Sequence, residues 1–173
     1  MEDITSAAST PELSRIVELE RLVKMRTPYT IKASPEECIK LAERFGFVSL
    51  SAFELAYTVT HLGGKSIDYN VIAAMKASLV QRCSVTLKEI PEEVDDTFNF
   101  RVVHPKQEEE FALELSEYED FEFSSDGIVD LGEIGAQYLS LSVDPYPRFD
   151  EADVPVLETK KNPFAVLEQL KKK

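Results

Sequence analysis

Apolar and polar residues alternate through Tyr69–Leu87. There Tyr69, Val71, Ala73, Met75, Ala77 and Leu79 interleave with Asn70, Ile72, Ala74, Lys76, Ser78 and Val80. A period of two is that of a strand with one face in a core. A helix over Val71–Leu79 is the competing reading, because Ala, Met and Lys are good helix formers. Just upstream, Phe53, Leu55, Tyr57 and Val59 alternate with Glu54, Ala56, Thr58 and Thr60, and Gly63-Gly64 separates the two runs. Two alternating runs around a glycine pair predict a β-hairpin. Val85–Glu89 follows before Pro91, and Val94–Val103 predicts a third long strand with Phe98, Phe100 and Val102 on one face. Tyr29–Lys32 is a short strand candidate with β-branched Thr30 and Ile31. Leu13–Leu22 fits an edge strand followed by a turn.

Helical spacing appears in three places. Ser34-Pro35-Glu36-Glu37 is a helix start, with Ser34 as N-cap, Pro35 in the first turn and Glu37 completing a capping box. Cys38, Leu41, Ala42 and Phe45 then form one stripe, and Gly46 supplies the stop. Asp130-Leu131-Gly132-Glu133 opens a second helix, carrying Leu131, Ile134, Tyr138 and Leu141 and ended by Asp144-Pro145-Tyr146-Pro147. Asn162-Pro163 caps a last helix with Phe164, Leu167 and Leu170 on one stripe, closing on Lys171–Lys173. Ten residues are too few for a stable isolated helix. Burial of each of those three apolar side chains would contribute roughly 1.5–3 kcal/mol before ordering costs, so the segment should dock, on its own domain or on a partner.

These elements give an α+β fold: a twisted antiparallel sheet of about five or six strands that could curl toward a barrel, two packed helices and a short C-terminal helix. The expected organisation is a disordered lead-in at 1–11, one domain at 12–147, and a charged linker with a docking helix at 148–173. Residues 106–127 crowd carboxylates. Phe111, Leu113 and Leu115 alternate there and could add an edge strand, but a solvated acidic loop is the simpler reading.

Charge narrows the function. With Lys+Arg 19 against Asp+Glu 32, the chain carries a formal charge of −13, which repels phosphate backbones and argues against a general nucleic-acid binder. Two cysteines, Cys38 and Cys83, make no disulfide framework and suit a reducing cytoplasm. The acidic, polar start MEDITSAASTPE resembles no targeting peptide, and no apolar run is long enough to insert in a membrane.

Candidate chemistry is sparse. Gly64-Lys65-Ser66 looks like the end of a phosphate-binding loop, but Val59 stands where its first glycine belongs and a strand pattern follows. His61 and His104 have no catalytic neighbour in sequence, and no G-x-S-x-G elbow is present. Cys83 is more simply a buried thiol than a nucleophile or zinc ligand. Glu108–Asp126 lacks calcium-loop spacing. Arg15, Arg21, Lys24, Arg26 and Lys32 are locally basic but interleaved with Glu18 and Glu20, which leaves room for a weak RNA contact. No catalytic residue, metal ligand or cofactor is expected from the pattern.

Four segments in order resemble a known family. Gln81-Arg82-Cys83-Ser84-Val85-Thr86-Leu87 resembles the Q-x-C-x-V-T-L strand of the YceD family, the large ribosomal RNA subunit accumulation proteins. Ile128-Val129-Asp130-Leu131-Gly132-Glu133 is similar to its I-x-D-L-x-E helix start. Asp144-Pro145-Tyr146-Pro147-Arg148 resembles the form seen in alphaproteobacterial members. Asn162-Pro163-Phe164-Ala165-Val166-Leu167, followed by Leu170-Lys171, is similar to its C-terminal N-P-F-A-V-L-x-x-L-K signature. The resemblance implies a bacterial, cytoplasmic, non-enzymatic factor for accumulation of large-subunit (23S) ribosomal RNA. Family members are typically encoded beside a small basic large-subunit protein. The expected partner is a basic ribosomal protein or a large-subunit assembly intermediate, with Asn162, Pro163, Phe164, Leu167 and Leu170 as partner contacts. Direct binding of precursor rRNA, through Arg15, Arg21, Lys24, Arg26 and Arg82, is the alternative. The chain departs from the family in carrying Val80 where many members complete a C-x-x-C, in lacking cysteine over 144–161, and in having Ala73 where many have glycine. Metal binding by cysteine-rich relatives therefore does not transfer.

Overall fold

The computed structural model describes residues 11–25, 27–63, 66–104 and 120–149. Its elements in chain order are β1 (Ile16–Glu18), α1 (Leu19–Val23), β2 (Tyr29–Lys32), α2 (Pro35–Phe45), β3 (Ser49–His61), β4 (Asp68–Arg82), β5 (Glu89–Val103), β6 (Asp120–Phe123), β7 (Ile128–Asp130) and α3 (Leu131–Ser142). The fold is α+β. One sheet has the order β2-β3-β4-β5-β6, and a second, two-stranded sheet pairs β1 with β7.

The hairpin of β3 and β4 is the frame. The two strands run antiparallel from Ser49↔Val80 to His61↔Tyr69, with one irregularity between Leu50 and Ala52. Alternation assigns their faces as expected: Phe53, Leu55, Tyr57, Val71, Ala73, Met75, Ala77 and Leu79 are all buried. Phe98, Phe100 and Val102 of β5 extend that face. The opposite face carries a charge row in register, Lys32↔Glu54↔Lys76↔Asp95, across β2, β3, β4 and β5. Lys32 meets Glu54 at 3.0 Å and Lys76 meets Asp95 at 3.2 Å. A one-residue slip would place like faces against unlike ones, so the row and the buried face specify the same register.

The helices close the core. Ser34 Oγ accepts from the Glu37 N–H and the Glu37 carboxylate accepts from the Ser34 N–H, completing the capping box. Gly46 sits at φ 72° in the left-handed region and ends α2. Asp130 caps α3 through the N–H groups of Gly132 and Glu133. Gly135 lets α3 approach closely, since a Cβ there would meet Leu55 and the Tyr57 hydroxyl. Tyr138 stacks on Phe98 at 3.9 Å between ring centroids and donates to the Asp120 carboxylate at 2.7 Å, joining α3 to β5 and β6.

Several expectations need correction. The α+β sheet of five strands is as expected and does not close into a barrel, but it is mixed rather than wholly antiparallel: β6 runs parallel to β5, and β2 and β6 are its edges. The alternating run does not stay a strand to Leu87. β4 ends at Arg82, residues 84–86 form a turn, and β5 begins at Glu89 and passes through Pro91. Proline is tolerated there because β6 pairs only with Phe100–Val103, leaving that part of β5 at the edge. The segment after β1 is a short helix, α1, rather than a simple turn. On α3, Leu139 is buried as Leu131 is, while Leu141 is 77% exposed. Within the acidic stretch, Asp120–Phe123 is a strand. Phe111, Leu113 and Leu115, Gly64 and Lys65, and the predicted helix at Asn162–Leu170 lie outside the described residues.

Candidate interaction surface

Two of the motif segments, more than 60 positions apart in sequence, meet at the β4–β5 turn. Gln81 is only 8% exposed, and its amide nitrogen donates to Glu92 Oε2 at 2.7 Å and to the Asp144 carbonyl at 3.2 Å. The Ser84 N–H donates to the Pro147 carbonyl at 2.8 Å. The Asp144 carboxylate accepts from the Tyr146 N–H at 2.8 Å, an Asx-type turn that brings the chain round after α3. The flanking prolines, Pro145 and Pro147, bias the residues before them to extended conformations.

The turn closes on the sulfur of Cys83. The Cys83 N–H donates to the Lys88 carbonyl at 2.8 Å, and the Leu87 N–H donates back to the Cys83 carbonyl at 3.0 Å. The Thr86 N–H donates to Sγ at 3.3 Å. The Thr86 side chain and the backbone N–H groups of Thr86, Phe149 and Val85 hold the thiol down to about 6, against burial that pushes it up. Cys83 itself is fully buried. Leu87 adopts φ 61°, the only positive φ among the described non-glycine residues. Arg82 points to solvent beside these groups.

The third motif lies at the far end of α3, about 18 Å away along its twelve residues. Asp130 accepts from Ser14 Oγ and from the Arg15 N–H, both at 2.6 Å, as well as capping α3. The Leu131 carbonyl accepts from the buried Tyr57 hydroxyl at 2.7 Å. Glu133 binds Arg44 through both carboxylate oxygens, at 2.8 and 2.7 Å, and Arg44 also reaches Glu12 at 2.8 Å. These contacts tie the N-terminal segment to α2 and α3. Their ion pairing depends on partners far away in sequence, which local spacing does not reveal; nor did any signal mark Leu87 for a left-handed conformation. The partner contacts expected at Asn162, Pro163, Phe164, Leu167 and Leu170 lie outside the described residues.

The other candidates settle into structural surroundings. The N-terminal cations are largely spoken for: Arg15 pairs with Glu37, Arg21 with Glu18, Lys24 with Glu20 and Lys32 with Glu54. Arg26 lies outside the described residues. His61 ends β3, packs on Tyr69 at 5.0 Å and sits 3.2 Å from the Ser66 carbonyl. It lines an open cleft of about 440 Å³ with Glu20, Lys24 and Asp126. Ser66 leads into β4 rather than a helix, as the rejected phosphate loop would require. Cys38 is buried in α2, where burial pushes its thiol up. Among the described residues no three His, Cys, Asp or Glu side chains converge as metal ligands, and no helix is long and apolar enough to cross a membrane. No family model, no curated protein and no solved structure matches the chain.

Proposed function

We propose that the chain is a non-enzymatic bacterial factor that acts in the cytoplasm to support accumulation of large-subunit (23S) ribosomal RNA. It does so by binding a basic ribosomal protein or a large-subunit assembly intermediate. The observation that carries the reading is the meeting of the Gln81–Leu87 and Asp144–Arg148 motifs, joined by the Gln81–Asp144 and Ser84–Pro147 hydrogen bonds. Two of the four segments that carry the resemblance thus meet at one turn, as segments serving one contact would. The charge of −13 supplies long-range attraction to a basic partner. Direct binding of rRNA is less favoured, because phosphates would have to displace the carboxylates that hold Arg15, Arg21 and Lys24.

The test is the ratio of large- to small-subunit rRNA in cells depleted of the protein, rescued with the intact chain or with one ending at Lys161. The ratio should fall on depletion and recover fully only with the intact chain. A ratio that never falls removes the ribosomal reading. Recovery with both chains keeps it and removes Asn162–Leu170 from the contact.

A further inference from the structure

The β4–β5 turn presents apolar side chains that its own fold does not use. Val85 is 52% exposed, Leu87 69% and Tyr146 72%, and they lie on the two stretches of chain that the Ser84–Pro147 hydrogen bond joins. Leu87 holds its place at φ 61°, a conformation unfavourable for a side chain with a Cβ. An exposed leucine on a strained, hydrogen-bonded turn is not explained by packing within the described residues, and strained backbone clusters at functional sites.

The end of the described chain indicates the occupant. Phe149, its last residue, brings its backbone N–H to the Cys83 sulfur, so the remaining 24 residues, 150–173, depart from beside this patch. They include Phe164, Leu167 and Leu170 at helical spacing. Fourteen residues lie between Phe149 and Phe164, a reach of up to about 50 Å, ample for a return to the turn. Such a tether gives a local concentration of about millimolar, enough for a modest apolar contact to persist.

We infer that Val85, Leu87 and Tyr146 form the seat for residues 162–170 of the same chain. The seat is a property of the isolated chain and does not rest on the ribosomal reading.

The experiment compares the intact purified chain with one ending at Lys161, using a synthetic peptide of residues 160–173 as probe. Amides of the 84–88 turn and of Tyr146 should exchange hydrogen faster in the shortened chain. The peptide should bind the shortened chain, and bind the intact chain at least about tenfold more weakly because the seat is filled. Leu87→Gly combined with Val85→Ser in the shortened chain should abolish peptide binding. Leu87→Gly alone, which relieves the left-handed backbone, keeps the fold and should still weaken binding. Equal exchange in the two chains, or a peptide that does not bind the shortened chain, overturns the inference. Protection that rises with protein concentration also overturns it, by giving the seat to a second copy. Failure here leaves the rRNA ratio untouched, and a failed rRNA ratio leaves the exchange result untouched.

Discussion

Cys83 has no surface in contact with solvent, yet its thiol is held down to about 6 by the Thr86 side chain and the N–H groups of Thr86, Phe149 and Val85. A thiol in the unfolded chain loses its proton near 8.5. A group whose pKa is lower in the folded state contributes stability that is fully present above the unfolded value and lost as pH falls through the folded one. The turn should therefore lose stability as pH is lowered from about 9 toward about 6. Urea unfolding at the two ends of that window should show the slope, and Cys83→Ser, which cannot ionise there, should remove it. An unaltered slope in Cys83→Ser would assign it to another group. Sequence pattern placed Cys83 correctly on the core side but carried the strand past it. Val85 and Leu87 keep the apolar alternation, and only the left-handed Leu87 backbone shows that the chain has reversed.

Among the elements, the two long helices differ in what their caps hold. Ser34 caps α2 locally, with its partner three residues away. Asp130 caps α3 and also takes hydrogen bonds from Ser14 and Arg15, more than a hundred positions distant. Loss of an ordinary cap costs about 1 kcal/mol, and hydrogen bonds to a charged acceptor about 1.5–3 kcal/mol. Ser34→Ala should thus cost about 1 kcal/mol and Asp130→Ala about 2–3 kcal/mol, measured as shifts in denaturant midpoint at constant slope. Equal losses would mean that the N-terminal segment is not anchored through Asp130. Both caps were legible because capping is written in neighbouring residues. Face assignment along β3, β4 and β5 was legible because alternation is also local. The parallel pairing of β6 with β5, the β1–β7 pairing and the choice of Leu139 over Leu141 were not. They depend on what each element meets across the molecule, and α3 is turned by the glycine contact with Leu55 and Tyr57.

Over the whole molecule, two electrostatic effects oppose each other as pH falls. With a formal charge of −13, the folded chain repels itself near neutrality, and protonation of exposed carboxylates relieves this. Glu37 and Glu133 act in the other direction. Arg15 holds the Glu37 carboxyl below the usual range, and Arg44 does the same for Glu133. Their stabilisation is fully present above the unfolded value near 4.5 and is lost as pH falls through the lower folded values. Both carboxylates are mostly sheltered, with side chains 19% and 20% exposed, so each pair should exceed the usual surface value. Apart from the Cys83 contribution, stability should therefore rise slightly from neutral toward mildly acidic pH and then fall steeply once these pairs protonate. Arg44→Met removes the charge that joins Glu12, α2 and α3, together with the guanidinium that lies over the Phe45 ring. It should cost about 1–3 kcal/mol at neutral pH and leave a shallower acid limb, because the Glu133 carboxyl would return toward its ordinary range. Thermal unfolding across the acid range, on intact and Arg44→Met chains, measures both terms together. Parallel curves would show that the N-terminal segment is held by Asp130 and apolar burial of Leu13 and Leu19, with the ion pairs contributing nothing net.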